Sequence, residues 1–316
     1  MRIDVHAHYY PEKYIDLMGR LGAELSQVVG SQLAGSGQPE IDARLEMMDR
    51  AGVTMQVLSV SATHPYFSKE KDAVDGAHLA NDQYAELVAR YPRRFASFAT
   101  LPLPHVDAAL AEIARALDQL KMVGITLGTS VGTRSTFDPT FEPMYAELNR
   151  REAVVFIHPA GLGLCSPLLN DYGLTWTIGA PFEDTMFVLH AIRSQIPVRF
   201  PKIKFVIPHL GGALPMLFNR INMPRVGYPS PLAEMPNVTV RRMWYDTVAQ
   251  GNKAALRCAC ELFGSEHLVH GSDYPYQLRD AYQNSVTYVE QSGLPAEDVA
   301  RILDQNALKL LALEEK

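Results

Sequence analysis

The opening stretch "MRIDVHAHYYPEKY", residues 1–14, decides between two folds. Its core, Ile3–His8, reads as a strand, in which alternate side chains share a face. Asp4, His6 and His8 would then line one side, and Ile3, Val5 and Ala7 the other. A doubly wound open sheet that binds dinucleotides carries a Gly-rich turn directly after its first strand. Here "VHAHYYPE" stands in that place, which favours a (β/α)8 barrel instead. The two imidazoles, one residue apart, are either the polar face of a half-buried strand or the start of a metal site.

The rest of the chain repeats the pattern. Short apolar or β-branched runs follow at even spacing: "MQVLSVS" (55–61), "RFASFATLPL" (94–103), "VGITLGT" (123–129), "AVVFIHPA" (153–160), "IKFVIPHL" (203–210), "VRRMWYDTV" (240–248) and "HLVHGSDYP" (267–275). Amphipathic helical segments lie between them, among them "AHLANDQYAELVARYP", "VDAALAEIARALDQL" and "NKAALRCACELFG". Alternation of this kind calls for a parallel sheet wrapped by helices, and eight strands over 316 residues predict one α/β domain, a (β/α)8 TIM barrel spanning 1–316. A loose stretch, "GSQLAGSGQPE", suggests a lid or loop insertion around 20–42.

Composition excludes several classes. With 47% hydrophobic residues the chain can bury a large core, and 29 basic against 35 acidic residues, with no basic run, argue against nucleic acid as a partner. Three cysteines in so long a chain point to a reduced, cytoplasmic setting rather than a disulfide framework. Neither a secretory leader nor an apolar run long enough for a bilayer is read, so no membrane association is expected. Cys258-x-Cys260 sits in an apolar helical run and reads as small core residues.

A barrel builds its active site at the C-terminal ends of its strands. His6 and His8 close the first strand, His158 the fifth, His209 the sixth, and Asp273 the eighth. Four histidines and a carboxylate on one rim compose a zinc-type site, with nitrogen donors, one carboxylate oxygen and room for water.

The set "DVHAH", "FIHPAG", "PHLGGALP", "HGSDYP" and "ILDQNALKLL" resembles the amidohydrolase superfamily. Within it, the similarity is to the branch of aminocarboxymuconate-semialdehyde and resorcylate-type decarboxylases, and it runs from Asp4 to about Leu311. The resemblance implies that His6, His8, His158 and Asp273 hold one divalent ion, Zn²⁺ by preference or Mn²⁺. His209 would lie just outside that ligand set, with His209 and Asp273 as the catalytic pair. No lysine ends strand four, where binuclear relatives carry a carboxylated one, so a single metal is implied.

Other polar residues have two readings each. Arg220 could hold a substrate carboxylate, across a homodimer interface by analogy with the family, or close a helix at the surface. His64, in a loop of the catalytic face, could touch substrate or simply pack. Tyr9, Tyr10, Tyr66, Phe67, Trp176 and Phe182 could stack on a planar acid or pack over the site, with Tyr10 and Phe182 taken as substrate contacts. Asp246 could orient a ligand from behind or be a buried, hydrogen-bonded carboxylate. His270 should face the helices, and His190 and His267 are read as structural or exposed.

The expected activity is metal-dependent, non-oxidative decarboxylation of a small aromatic or conjugated carboxylic acid, with an ortho-hydroxybenzoate favoured. The alternative is hydrolysis of a lactone or amide by the same residues. A non-catalytic binding protein comes last, because no ligand position is missing. The partners implied are a small carboxylic acid and a second copy of the chain.

Overall fold

The computed structural model of the chain describes residues 1–23, 25, 35, 37–223, 232–276 and 280–313. Eight parallel strands pair in chain order: β1 (Ile3–His8), β2 (Met55–Ser59), β3 (Phe95–Ala99), β4 (Gly124–Gly128), β5 (Val154–His158), β6 (Lys204–Ile207), β7 (Trp244–Asp246) and β8 (Leu268–Val269). The segment from β8 returns to β1, where Val5 N donates to His270 O at 2.9 Å, Asp273 N to His6 O at 2.8 Å and His8 N to Tyr274 O at 2.7 Å. These bonds bring the sheet round into a (β/α)8 barrel, as the alternating pattern predicts.

Helices wrap the outside: α1 (Glu12–Arg20), α2 (Gln38–Ala51), α3 (Glu70–Arg90), α4 (Val106–Ala114), α5 (Glu142–Arg150), α6 (Ala180–Ser194), α7 (Leu214–Asn222), α8 (Lys253–Phe263), α9 (Asp280–Glu290) and α10 (Asn306–Leu311). In α3 the buried positions Ala73, Ala77, Ala80, Tyr84 and Leu87 recur at three- and four-residue steps, the signature of one face turned to the sheet. The start of α8 is fixed by Asn252, whose side chain accepts from Ala255 N at 3.1 Å.

Two apolar cores result. Ile3, Val5, Val57, Phe98, Phe156, Val206 and Val269 fill the barrel interior, and Leu310 and Leu311 of α10 pack beneath them. A second, larger cluster lies between strands and helices. Because α10 packs against the strand starts, the opposite rim is left to carry the polar residues.

The structure corrects the sequence reading in four places. Asp4 does not share a face with His6 and His8: the register of β1 against β2 shifts between Asp4 and Ala7, which restarts the alternation. Asp4 faces outward, accepting from Gln56 Nε2 at 2.9 Å and Ser272 Oγ at 2.5 Å, while Ile3 and Val5 join the inner core. The strand read in "VRRMWYDTV" shrinks to Trp244–Asp246, since Pro236–Val240 is helical. His209 and Asp273 lie beyond the ends of β6 and β8, both in left-handed backbone with φ of 53° and 63°. Cys258 is exposed rather than a core residue, and Cys260 is half-buried. Most of the stretch 20–37, where a lid or insertion is expected, lies outside the described residues, and α2 begins just after it at Gln38.

Candidate active site

His6, His8, His158 and Asp273 present donor atoms that all lie within 4.8 Å of one another at the C-terminal rim. His6 Nε2 and His8 Nε2 are 3.2 Å apart, and Asp273 Oδ1 lies 3.3 Å from the first and 3.1 Å from the second. The three imidazoles pack edge to face, with ring centroids 4.8–5.3 Å apart.

The groups behind these donors set which nitrogen is free. His6 Nδ1 meets Asp246 Oδ2 at 2.6 Å, so Nδ1 carries the proton and Nε2 offers its lone pair. His158 Nδ1 likewise faces the Pro159 carbonyl at 2.9 Å. Two lone pairs and a carboxylate thus converge with His8, whose Nδ1 is buried and has no hydrogen-bond partner. Such a donor set fits a divalent cation, with hard oxygen and borderline nitrogen ligands.

Without a cation, protonation must settle the same crowding. Burial opposes charge on His6, yet Asp246 and Asp273 outweigh it and raise its pKa from 6.5 to about 9. Burial wins at His8 and His158, which are held below the ordinary histidine value. At Asp273 burial favours the neutral acid, but His6 and the hydrogen bonds from His209, His6 and His8 hold it well below the usual carboxylate range.

His209 stands beside this cluster, with Nε2 4.0 Å from Asp273 Oδ2. Its Nδ1 meets Asp184 Oδ2 at 2.7 Å, and its backbone N donates to Asp246 Oδ1 at 2.9 Å. Burial alone would lower its pKa; Asp184 and Asp273 reverse that and lift it well above 6.5. Asp184, fully buried on α6, is itself pushed up to about 7 by burial, against the pull of His209. Nothing local in "PFEDTMF" distinguishes this aspartate from a helix-surface one, and sequence reading did not find it.

Its neighbour Glu183 was missed too. Its carboxylate accepts from the backbone N–H groups of Ala160, Gly161, Leu162 and Gly163 at 2.7–3.2 Å, and from Thr129 Oγ1 at 2.9 Å. One buried carboxylate therefore holds the whole turn that follows His158. Within that turn a side chain at Gly161 would strike the Trp176 ring, so only glycine lets the indole approach the backbone here.

Above the donors opens a cavity of about 910 Å³. His158, His209 and Asp273 lie at its base, with Trp176, Tyr276, Leu210, Val248 and Ala255 among its walls. Tyr276, another residue the sequence did not single out, packs 5.4 Å from the His8 ring, and burial pushes its hydroxyl up to about 12.

Asp246 combines both of its readings, orienting His6 while remaining a buried, fully bonded carboxylate that also accepts from Val248 N at 3.0 Å. Tyr10 is buried beneath Tyr276, its hydroxyl donating to Ser61 O at 2.5 Å, and it is outside the cavity lining. His64 is buried against Tyr66 with Nδ1 3.2 Å from Thr100 Oγ1, and burial pulls it down to about 3. Phe182 and Arg220 are exposed and outside the lining, Arg220 lying one turn along α7 from the lining residue Met216. His270 faces the helices, its Nε2 3.1 Å from Ser285 Oγ on α9.

Comparison with known proteins agrees with this architecture. The chain is 27% identical to the 2-amino-3-carboxymuconate-6-semialdehyde decarboxylase of Dictyostelium discoideum, over 99% of this chain and 92% of that one. It is 30% identical to the 6-methylsalicylic acid decarboxylase of Penicillium expansum, over 98% and 95%. A dihydroxybenzoic acid decarboxylase from Polaromonas sp. JS666, solved with bound manganese and 2-nitroresorcinol, shares the fold with a TM-score of 0.85 at 21% identity, covering 100% and 98%. The amidohydrolase family profile matches residues 3–313, and the chain belongs to that family.

Proposed function

We propose that the protein is a metal-dependent, non-oxidative decarboxylase of a small aromatic carboxylic acid, an ortho-hydroxybenzoate by preference. The observation that carries this reading is the placement of His209, its Nδ1 2.7 Å from Asp184 Oδ2 and its Nε2 4.0 Å from Asp273 Oδ2, at the base of a largely apolar cavity. The relatives named for 6-methylsalicylate and aminocarboxymuconate semialdehyde support it.

His6, His8, His158 and Asp273 would hold the ion, which supplies a Lewis-acid centre for the substrate's carboxylate and neighbouring hydroxyl. The apolar walls flank the ring and limit water at the reacting carbon. His209, with the Asp273 carboxylate beside it, delivers a proton to the carbon that bears the carboxylate, taking it out of conjugation. The carbon–carbon bond then breaks, its electron pair returns to the ring, and carbon dioxide departs. Asp184 keeps His209 oriented throughout, and Asp246 does the same for His6.

Three imidazoles and one carboxylate favour Zn²⁺, with Mn²⁺ as the second choice. We place the protein in the cytoplasm as a homodimer, in which Arg220, outside its own chain's cavity, would meet substrate across the interface. Among the described residues no helix is long and apolar enough to cross a membrane.

The test is carbon dioxide release from a panel of ortho-hydroxy aromatic acids by Zn²⁺- and Mn²⁺-loaded protein, beside base uptake on lactones and amides. Carbon dioxide from at least one acid, abolished by a chelator, is expected. Hydrolysis with no carbon dioxide would overturn the reading.

A further inference from the structure

The cavity wall formed by α8 has an unusual composition for a surface helix. In α8, Lys253, Arg257 and Glu261 recur at four-residue steps and form one stripe, while Ala254 and Cys258, with Ala255, form the stripe beside it that lines the cavity. The charged ends are drawn away: Arg257 donates to Ser292 O at 2.7 Å and Lys253 Nζ to Gln291 Oε1 at 3.3 Å. Across the mouth stands Met216 of α7, 82% exposed. No lysine or arginine lines the cavity among the described residues.

Volume points the same way. At about 910 Å³ the cavity sits near the top of the range of roughly 300–1,000 Å³ for small-molecule sites, and a single hydroxybenzoate ring fills a fraction of it. Among its lining residues His158 is buried, whereas Met216 and Cys258 are exposed, so the donors lie at the closed end and α8 toward the mouth. A ring whose carboxylate and ortho hydroxyl face the donors turns its opposite edge toward α8.

We infer that the strip formed by Ala254, Ala255, Cys258 and Met216 is a binding subsite for an uncharged apolar substituent, an alkyl chain of several carbons, on that far edge of the ring. The inference rests on the decarboxylase reading for the orientation of the ring, and it narrows the substrate to an extended monocarboxylic acid. A second carboxylate on the same edge would lie against the apolar side chains of Ala254, Ala255, Cys258 and Met216, which offer it no hydrogen-bond donor, and is selected against.

Calorimetric binding to metal-loaded protein tests this, using salicylates that carry hydrogen, methyl, propyl, pentyl or a second carboxylate on the far edge. Kd is expected to fall about two- to fourfold per added methylene, and to rise at least tenfold for the dicarboxylate. The exposed cysteines give an independent readout: the pentyl compound should slow alkylation of Cys258 by iodoacetamide and leave Cys165, which lines a different pocket, unprotected. Kd values that do not depend on chain length, or equal protection of both cysteines, would overturn the subsite. Length-dependent binding without carbon dioxide release from any member would retain the subsite and remove the decarboxylase reading.

Discussion

Asp246 and Asp184 do different work through the same kind of bond. Asp246 divides its oxygens between the His6 ring and the His209 backbone, so one carboxylate ties a metal donor to the loop carrying the proton donor. Asp184 acts on His209 alone, through Nδ1. Replacing it, Asp184→Asn, removes the carboxylate that raises the His209 pKa and should lower kcat by about a hundredfold or more while leaving metal content unchanged. Steady-state kinetics beside metal analysis checks this, and loss of metal would show that Asp184 acts structurally. At His6, raised to about 9 in the metal-free protein, a proton must leave before Nε2 can ligate. Metal affinity should therefore climb as pH rises from 6 toward 9, with proton release on loading, measured by titration in buffers of different ionisation enthalpy. The donors His6, His8, His158 and Asp273 were legible because each stands near a strand end in an otherwise apolar run. Asp184 was not, because its partner lies 25 residues further on and only folding brings them together.

At the scale of elements, α6 carries the site as much as the strands do. Its adjacent residues Glu183 and Asp184 hold the turn after β5 and the histidine after β6. Glu183→Ala would leave the partly or fully buried N–H groups of Gly161, Leu162 and Gly163 without an acceptor, Ala160 keeping Thr129 Oγ1, and should cost about 2–4 kcal/mol, read by denaturant unfolding. Where α6 meets the turn after His209, Gly212 has a φ of 63° and a side chain there would overlap the Pro181 carbonyl. Gly212→Ala should accordingly fold poorly or displace His209. The shift of register inside β1 was hidden from the sequence for a related reason. Alternation is a local rule, and the bulge that breaks it is stabilised by distant partners of Asp4, namely Gln56, Ser272 and Tyr282.

Over the whole molecule, stability and chemistry occupy opposite ends. The apolar interior and α10 fill one end of the barrel, while the other gathers charges and left-handed residues that fold at a cost. Ion binding should repay part of that cost, so metal-loaded protein should melt above metal-free protein, by up to about 4 kcal/mol of stability at a thousandfold excess over Kd. Differential scanning calorimetry across metal concentrations measures it. Eight strands, their order and the rim they share were readable from periodicity because a barrel repeats one local pattern. The walls of the cavity were less readable: Tyr276, Val248 and Ala255 are ordinary residues whose role comes only from where the loops bring them. The most direct test of the whole account is turnover of an ortho-hydroxybenzoic acid in deuterium oxide by metal-loaded protein. The account predicts one equivalent of carbon dioxide and one deuterium on the carbon that bore the carboxylate, both lost on chelation. A fully metal-loaded protein that yields neither from any acid in the panel would contradict it.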